Sequence, residues 1–286
     1  MNLFTPAEAA ASYAAAGAAK TRQPIWRLLL LSVLAGMLIG FPVCVTNMAC
    51  YGLENPSLVR ITAGVLFAFG LGTVVLTGAE LFTGNTLIVI SVLDRQATVG
   101  GMLRNWLIVY AGNFLGSLLV AGICARFGWL GSGGLAAFSL RLAVTKMTMP
   151  FENAFFMGVL CNILVTLAVL LSLSAKDVAG RFLGAWVPVM FFVVAGFSHS
   201  IADMTYCALG LFGKTVPAAA QAAIRALGAA SGLELIFAGT SLSTSAYEQL
   251  CTRLEGTDFC LLLTAQDAVS IECGVASRAV RWLLDR

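Results

Sequence analysis

The residues able to move a proton or hold an anion cluster in two short polar stretches set within long apolar runs. One is TGAELFTGN at 77–85; the other is GFSHSIADM at 196–204, which contains the only histidine of the chain, His199. A carboxylate, an imidazole and hydroxyls in such places could exchange protons, pair with cations or hydrogen-bond a small polar solute. Histidine ordinarily titrates near 6.5 and so exchanges protons around neutral pH. An ionisable side chain inside a membrane span marks a solute or proton path by default. The same histidine could instead tie two chain segments together by hydrogen bonds. A metal centre would need partner histidines or cysteines at ligand spacing, and none flanks His199. A nucleophile would have to be Ser198 or Ser200, and neither has a recognisable acid to orient a base. Both points argue against a membrane enzyme, and no cofactor is expected.

The setting of these residues follows from composition. Of the 286 residues 59% are hydrophobic and 11% charged, with a mean hydropathy of +0.90. Globular domains carry roughly 25% charged residues, so this is a polytopic membrane protein. The net charge of +3 is small and scattered, which excludes a nucleic-acid partner. Cys44, Cys50, Cys124, Cys161 and Cys207 sit in or beside apolar segments without a CxxC pair and read as small buried hydrophobes. The first 25 residues lack the charged start and apolar core of a cleaved signal. Their Ala-rich part, 6–20, predicts a short helix outside the bilayer, on the cytoplasmic side.

Spans of roughly 20 apolar residues are predicted at 26–51, 58–78, 106–124, 154–173 and 182–212, so that 26–212 forms the transmembrane domain. A sixth, at 226–247 within 213–247, contains Glu234, and the tail 248–286 has no assigned structure. With the N-terminus cytoplasmic, Lys20, Arg22, Arg27, Arg95, Arg104, Lys176 and Arg181 fall inside; Arg60, Arg126, Arg141, Lys146 and Lys214 fall outside. This is the positive-inside bias, in mild form. The second and fifth spans are interrupted alike: VVLTGAELFTGN and VVAGFSHSIADM each run from paired valines through a glycine into a polar break. Interruptions at matching places in two halves point to inverted repeats with broken helices meeting at mid-membrane. Such backbone is tolerated there only when protein buries it or it lines a polar cavity. GNFLG at 112–116 is a small-xxx-small pattern for close helix packing.

Four motifs in order, GAELFTGNT at 78–86, RNWLIVYAGNFLG at 104–116, CNILVTLAVLLS at 161–172 and GFSHSIADM at 196–204, resemble the formate/nitrite transporter family. The resemblance covers about residues 5–212. It implies an all-α integral membrane protein, an aquaporin-like protomer of six spans with two broken helices, assembled as a homopentamer with one pore per protomer. Carried over by motif, Thr83 falls on the loop breaking the second span, Lys146 on the basic residue of the outer vestibule, Asn162 on the fourth-span asparagine and His199 on the central pore histidine. Phe67, Leu71, Leu81 and Phe192 match the apolar constrictions. Ser198 stands where an acid is frequent and Asp203 where an asparagine is common, which leaves the substrate subtype open. The segment 226–247 lacks the family's GN-containing sixth span.

Physical chemistry narrows the function further. A bare anion in an apolar constriction loses hydration worth roughly several to tens of kcal/mol, and protonation removes most of that penalty. A weak acid can therefore cross as the neutral species if the pore attracts the anion and supplies a proton. Lys146 suits the first task by raising the local anion concentration; His199 suits the second. Thr83 and Asn162 offer neutral donors and acceptors, while Glu80 and Asp203 suit capping or pairing with a basic residue. The expected function is an inner-membrane channel or proton-coupled transporter of small monovalent weak-acid anions, formate first, nitrite or hydrosulfide next. An aquaporin-type pore for neutral solutes would instead carry Asn-Pro-Ala repeats at both breaks. A third reading is a defective family member without a proper sixth span.

Overall fold

The computed structural model describes residues 3–130 and 134–212, together with the backbone of 260–263 and 269–272. Helix α1 (Pro6–Thr21) opens the chain with a capping box in which Thr5 and Glu8 bond each other's backbone N–H. The Thr5 backbone N–H holds the Glu8 carboxyl below the usual carboxylate range. Then come α2 (Ile25–Cys50), α3 (Pro56–Phe67), α4 (Phe69–Thr77), α5 (Phe82–Asn85), α6 (Ile88–Leu93) and α7 (Val99–Arg126). The second group is α8 (Gly134–Met147), α9 (Phe151–Ser174), α10 (Val178–Ala195) and α11 (Ser200–Phe212). Five helical segments among the described residues are long and apolar enough to span a membrane: α2, the α3 and α4 pair, α7, α9 and α10. Two shorter apolar stretches, Phe82–Leu93 and Ser200–Phe212, continue the second and fifth of these after a break.

Span limits differ from the expected ones where caps decide them. Asn55 accepts from the backbone of Ser57 and Leu58, so the second span starts at Pro56 rather than at 58. Thr98 accepts from Gly101 and begins α7 well before 106. Residues 126–146, expected as a connector carrying Arg126, Arg141 and Lys146, contain helix α8, whose Leu135, Ala136, Ser139 and Ala143 are buried. The candidate sixth span at 226–247 lies outside the described residues. The tail contains a short antiparallel pair, β1 (Cys260–Leu263) and β2 (Val269–Glu272), with Cys260 opposite Glu272.

Helices α2 and α7 run in the same direction and touch through small residues. A Cβ on Gly36 would collide with the Asn113 carbonyl, and one on Gly116 with that of Val33. Ser32 abuts Gly112, and Gly40 faces Val120. This extends the close packing read from GNFLG into a ladder with a four-residue step on both helices. Gly36→Val forces these backbones apart and is expected to lower stability by about 3 kcal/mol, at the upper end of overpacking penalties. Thermal unfolding in detergent measures it; an unchanged midpoint would show that the ladder can relax.

Candidate functional site

Both broken helices stop by the same device. Helix α4 ends at Gly78 and α10 at Gly196, each with positive φ (69° and 82°), a left-handed conformation that glycine adopts without strain. In each, the following N–H reaches back five residues, Ala79 to Val74 O at 3.1 Å and Phe197 to Phe192 O at 3.0 Å. These are Schellman caps. They stop a long apolar helix and free the next three residues to be irregular before the half-helix restarts at Phe82 or Ser200.

Each break is then held by a lysine from a separate helix. Lys20 Nζ of α1 donates to Glu80 Oε2 at 2.8 Å and to Asn85 Oδ1 at 3.0 Å. Lys146 Nζ of α8 donates to Ser198 Oγ at 2.8 Å and lies 3.0 Å from Asp203 Oδ1. Glu80 and Asn85 stand two and seven residues after Gly78; Ser198 and Asp203 stand two and seven after Gly196. The two halves therefore repeat one clamp with the carboxylate moved from the first partner to the second. This accounts for Ser198 and Asp203 as a linked pair of departures, since the acid changes position but stays on the lysine. Lys146, expected from the sequence as an anion-attracting cation, is ion-paired with Asp203.

The first break has further supports. Asn113 Nδ2 donates to Ser32 O at 2.7 Å and Glu80 O at 2.9 Å, and its Oδ1 accepts from Phe82 N at 2.9 Å. Asn85 Nδ2 donates to Glu80 Oε2 at 2.7 Å and Asn105 Oδ1 at 2.9 Å, Trp106 Nε1 donates to Asn85 O at 2.8 Å, and Tyr13 Oη donates to Gly84 O at 3.1 Å. Helix α1 is thereby bonded directly to the half-helix α5, which carries Thr83 just past the break rather than on the loop expected from the sequence.

The breaks meet at His199. Its Nδ1 accepts from the backbone N–H of Ala202 at 3.2 Å, so the histidine caps α11 much as an aspartate would. An amide can only donate, hence Nδ1 carries the lone pair and the proton of the neutral ring sits on Nε2. Nε2 lies 3.0 Å from Thr83 Oγ1, which accepts that proton's hydrogen bond and keeps its own hydroxyl hydrogen to give. Phe192 stacks parallel to the imidazole with centroids 5.7 Å apart, and Phe67 meets both rings edge-on at 6.3 and 6.2 Å. Leu71 and Leu81 are buried in the same apolar cluster.

On its other side the imidazole faces a cleft of about 490 Å³ lined by Thr83, Thr86, Asn162, Ser198, His199 and the α9 face at Ala154 and Gly158. Asn162 Nδ2 donates to Thr86 Oγ1 at 3.0 Å, while its buried Oδ1 has no hydrogen-bond partner among the described residues. An unmet buried acceptor is a costly feature in an apolar surrounding and suits a solute O–H. The structure thus brings Thr83, Asn162 and His199 to one cleft, with Phe67 and Phe192 against the histidine and Lys146 one hydrogen bond away through Ser198. Sequence reading missed Lys20, Asn85, Asn105, Asn113 and Tyr13 as supports. Asn113 was visible inside GNFLG, where the glycines drew the interpretation. Among the described residues no group of three or more His, Cys, Asp or Glu side chains could hold a metal.

Known proteins agree with this architecture. A family model described as formate/nitrite transporter matches residues 7–242. The chain is 33% identical over 229 residues to a probable formate transporter of Methanothermobacter thermautotrophicus, covering 73% of this chain and 83% of that one. It is 31% identical over 218 residues to the formate channel FocA of Escherichia coli strain K12, covering 73% and 75%. Among solved structures, an FNT family ion channel superposes with a TM-score of 0.67 at 29% identity over 72% of this chain and 84% of that one. A pentameric formate channel with formate bound does so with 0.62 at 28% identity over 73% and 82%. The chain is an all-α, multi-pass membrane protein, and it belongs to the formate/nitrite transporter family.

Proposed function

We propose that this chain is a proton-coupled channel for small monovalent weak acids, formate first, with nitrite and hydrosulfide as smaller-scale alternatives. The contact of His199 Nε2 with Thr83 at the wall of the cleft carries this reading. A carboxylate arriving at the cleft displaces neither residue. It accepts a hydrogen bond from the Thr83 hydroxyl and takes the Nε2 proton of His199, and its protonated form gives its O–H to Asn162 Oδ1. For His199 to hand over the Nε2 proton without leaving an imidazolate, a proton from the aqueous side must reach Nδ1 as Nε2 loses one; the ring resets when Nδ1 returns a proton to water and Nε2 takes one up, so each acid formed consumes one proton from solution. The Ala202 contact opens at that moment and recloses when the ring resets. Formic acid, now neutral, passes the apolar side chains Phe67, Leu71, Leu81 and Phe192 without the desolvation penalty of an ion.

A homopentamer with one pore per protomer, in the cell's inner membrane, completes this reading; the pentamer is supported by the likeness to a pentameric formate channel. The N-terminus is cytoplasmic in this reading, and residues 26–212 form the channel domain. The family match running to residue 242 favours a working family member over a defective chain. Purified protein in liposomes should take up formate faster than protein-free liposomes, with nitrite and hydrosulfide compared under the same pH gradient. Uptake of glycerol or urea without formate uptake would instead establish a neutral-solute pore, and uptake of none would establish a defective one.

Lys146 attracts the anion only with the charge that Asp203 leaves uncancelled. Asp203→Asn removes the neutralising carboxylate and is expected to lower the KM for formate by about threefold to tenfold, an electrostatic gain of order 1 kcal/mol, which added salt weakens. Lys146→Met should raise KM. An Asp203→Asn channel with unchanged KM would assign the pair a purely structural role.

A further inference from the structure

The ladder between α2 and α7 ends on a pair of cysteines. Its rungs are Ser32 with Gly112, Gly36 with Gly116, Gly40 with Val120 and then Cys44 with Cys124, whose Sγ atoms stand 3.6 Å apart. We propose that Cys44 and Cys124 form a redox-active dithiol that closes to an intramolecular disulfide joining the first and third spans. Helices with ordinary side chains pack with axes about 8–10 Å apart. Glycine rungs bring these two backbones into contact, which suits an interhelical disulfide with Cα atoms roughly 4.4–6.8 Å apart. Both thiols are free in the structure. Cys44 is buried, whereas Cys124 is partly exposed in the last turn of α7, two residues before its final residue Arg126.

That difference sets the order of events. The Cys124 thiolate attacks a small-molecule disulfide, such as oxidised glutathione, and releases one thiol to leave a mixed disulfide. The Cys44 thiolate then attacks Cys124 Sγ and releases the second thiol. The two protons lost by the protein end on the two small thiols, and the small disulfide is the oxidant. With the N-terminus cytoplasmic this end of the helices faces the outer compartment, where disulfides persist. The chemistry itself depends neither on that orientation nor on what the pore carries. Among the described residues the other three cysteines show no such thiol pair: Cys50 contacts the Val59 carbonyl at 3.6 Å, Cys161 lines the cleft and Cys207 lies in α11.

The test treats the purified full chain with oxidised glutathione, removes the reagent, and measures intact mass and maleimide labelling. The expected result is a mass lower by two hydrogen atoms, two fewer reactive thiols per chain, and reversal by dithiothreitol. Trypsin without reductant should join peptide 28–60 to peptide 105–126 in the wild type and in Cys50→Ser, and in neither Cys44→Ser nor Cys124→Ser. The oxidised wild type should also unfold at a higher temperature than the reduced one, a shift absent from both latter variants. A lasting glutathione adduct on Cys124, a link through Cys50, disulfide-linked chains, or unreacted thiols would each overturn the proposal.

Discussion

Replacing His199 with alanine lowers formate uptake by about a hundredfold, the low end of what a positioned acid-base group contributes, and flattens the part of its pH dependence that the imidazole supplies. The size follows from what the side chain holds. Nδ1 caps α11 through Ala202, Nε2 holds Thr83 across the two breaks, and the ring fills the space between Phe192, Phe67 and the cleft. His199→Asn separates these duties, because an amide oxygen can cap the helix and its NH2 can reach Thr83 while neither takes up a proton near neutral pH. The asparagine variant is expected to unfold near the wild-type temperature and still show the flattened pH profile. Liposome uptake over a pH series measures both variants; a wild-type profile in His199→Asn would confine the histidine to capping.

The largest expected effect on stability lies at the other clamp. Lys20→Ala leaves the Glu80 carboxylate, 2% exposed, without its cation, with Asn85 and Gln23 as its remaining side-chain donors. Removing one member of a buried pair strands the other, and the expected loss is about 3 kcal/mol. The double variant Lys20→Ala with Glu80→Gln should recover much of it, since the stranded charge is then gone. Thermal unfolding of the four proteins in one detergent gives the coupling directly. A Lys20→Ala protein as stable as the wild type would mean that Asn85 and Gln23 alone satisfy the carboxylate. Because Lys20 belongs to α1, the same substitution loosens the half-helix bearing Thr83, so formate uptake should fall in parallel.

The breaks were legible because hydropathy is a local signal. A glycine and a polar run inside an apolar segment stand out without knowledge of any partner, and Gly78 and Gly196 prove to be matching left-handed caps. Glu80 and Asp203 likewise stood out as carboxylates needing a helix end to cap or a cation to pair with, and both lie on a lysine. Which cations satisfied them was not legible, since Lys20 is 60 positions from Glu80 and sits in an Ala-rich helix with nothing in its neighbourhood to mark it. Helix α8 escaped for a different reason: it is short and carries Arg141 and Lys146, so an average over a span-length window reads it as a polar connector. The Cys44 and Cys124 contact, 80 positions apart, could emerge only from the register of two packed helices. Set side by side, the two breaks also explain one feature each half hides alone, the exchange of acid and neutral partner between the clamps on Lys20 and Lys146.

The central claim is that the anion crosses the apolar constriction as its neutral acid, with a proton at its side. Formate uptake into liposomes holding a trapped pH dye, at a clamped membrane potential, measures formate and proton entry together. The account predicts interior acidification in step with uptake, near one proton per formate, and no dependence of the rate on the imposed potential. Formate entry that leaves interior pH unchanged and follows the potential would show passage of the bare anion and contradict it.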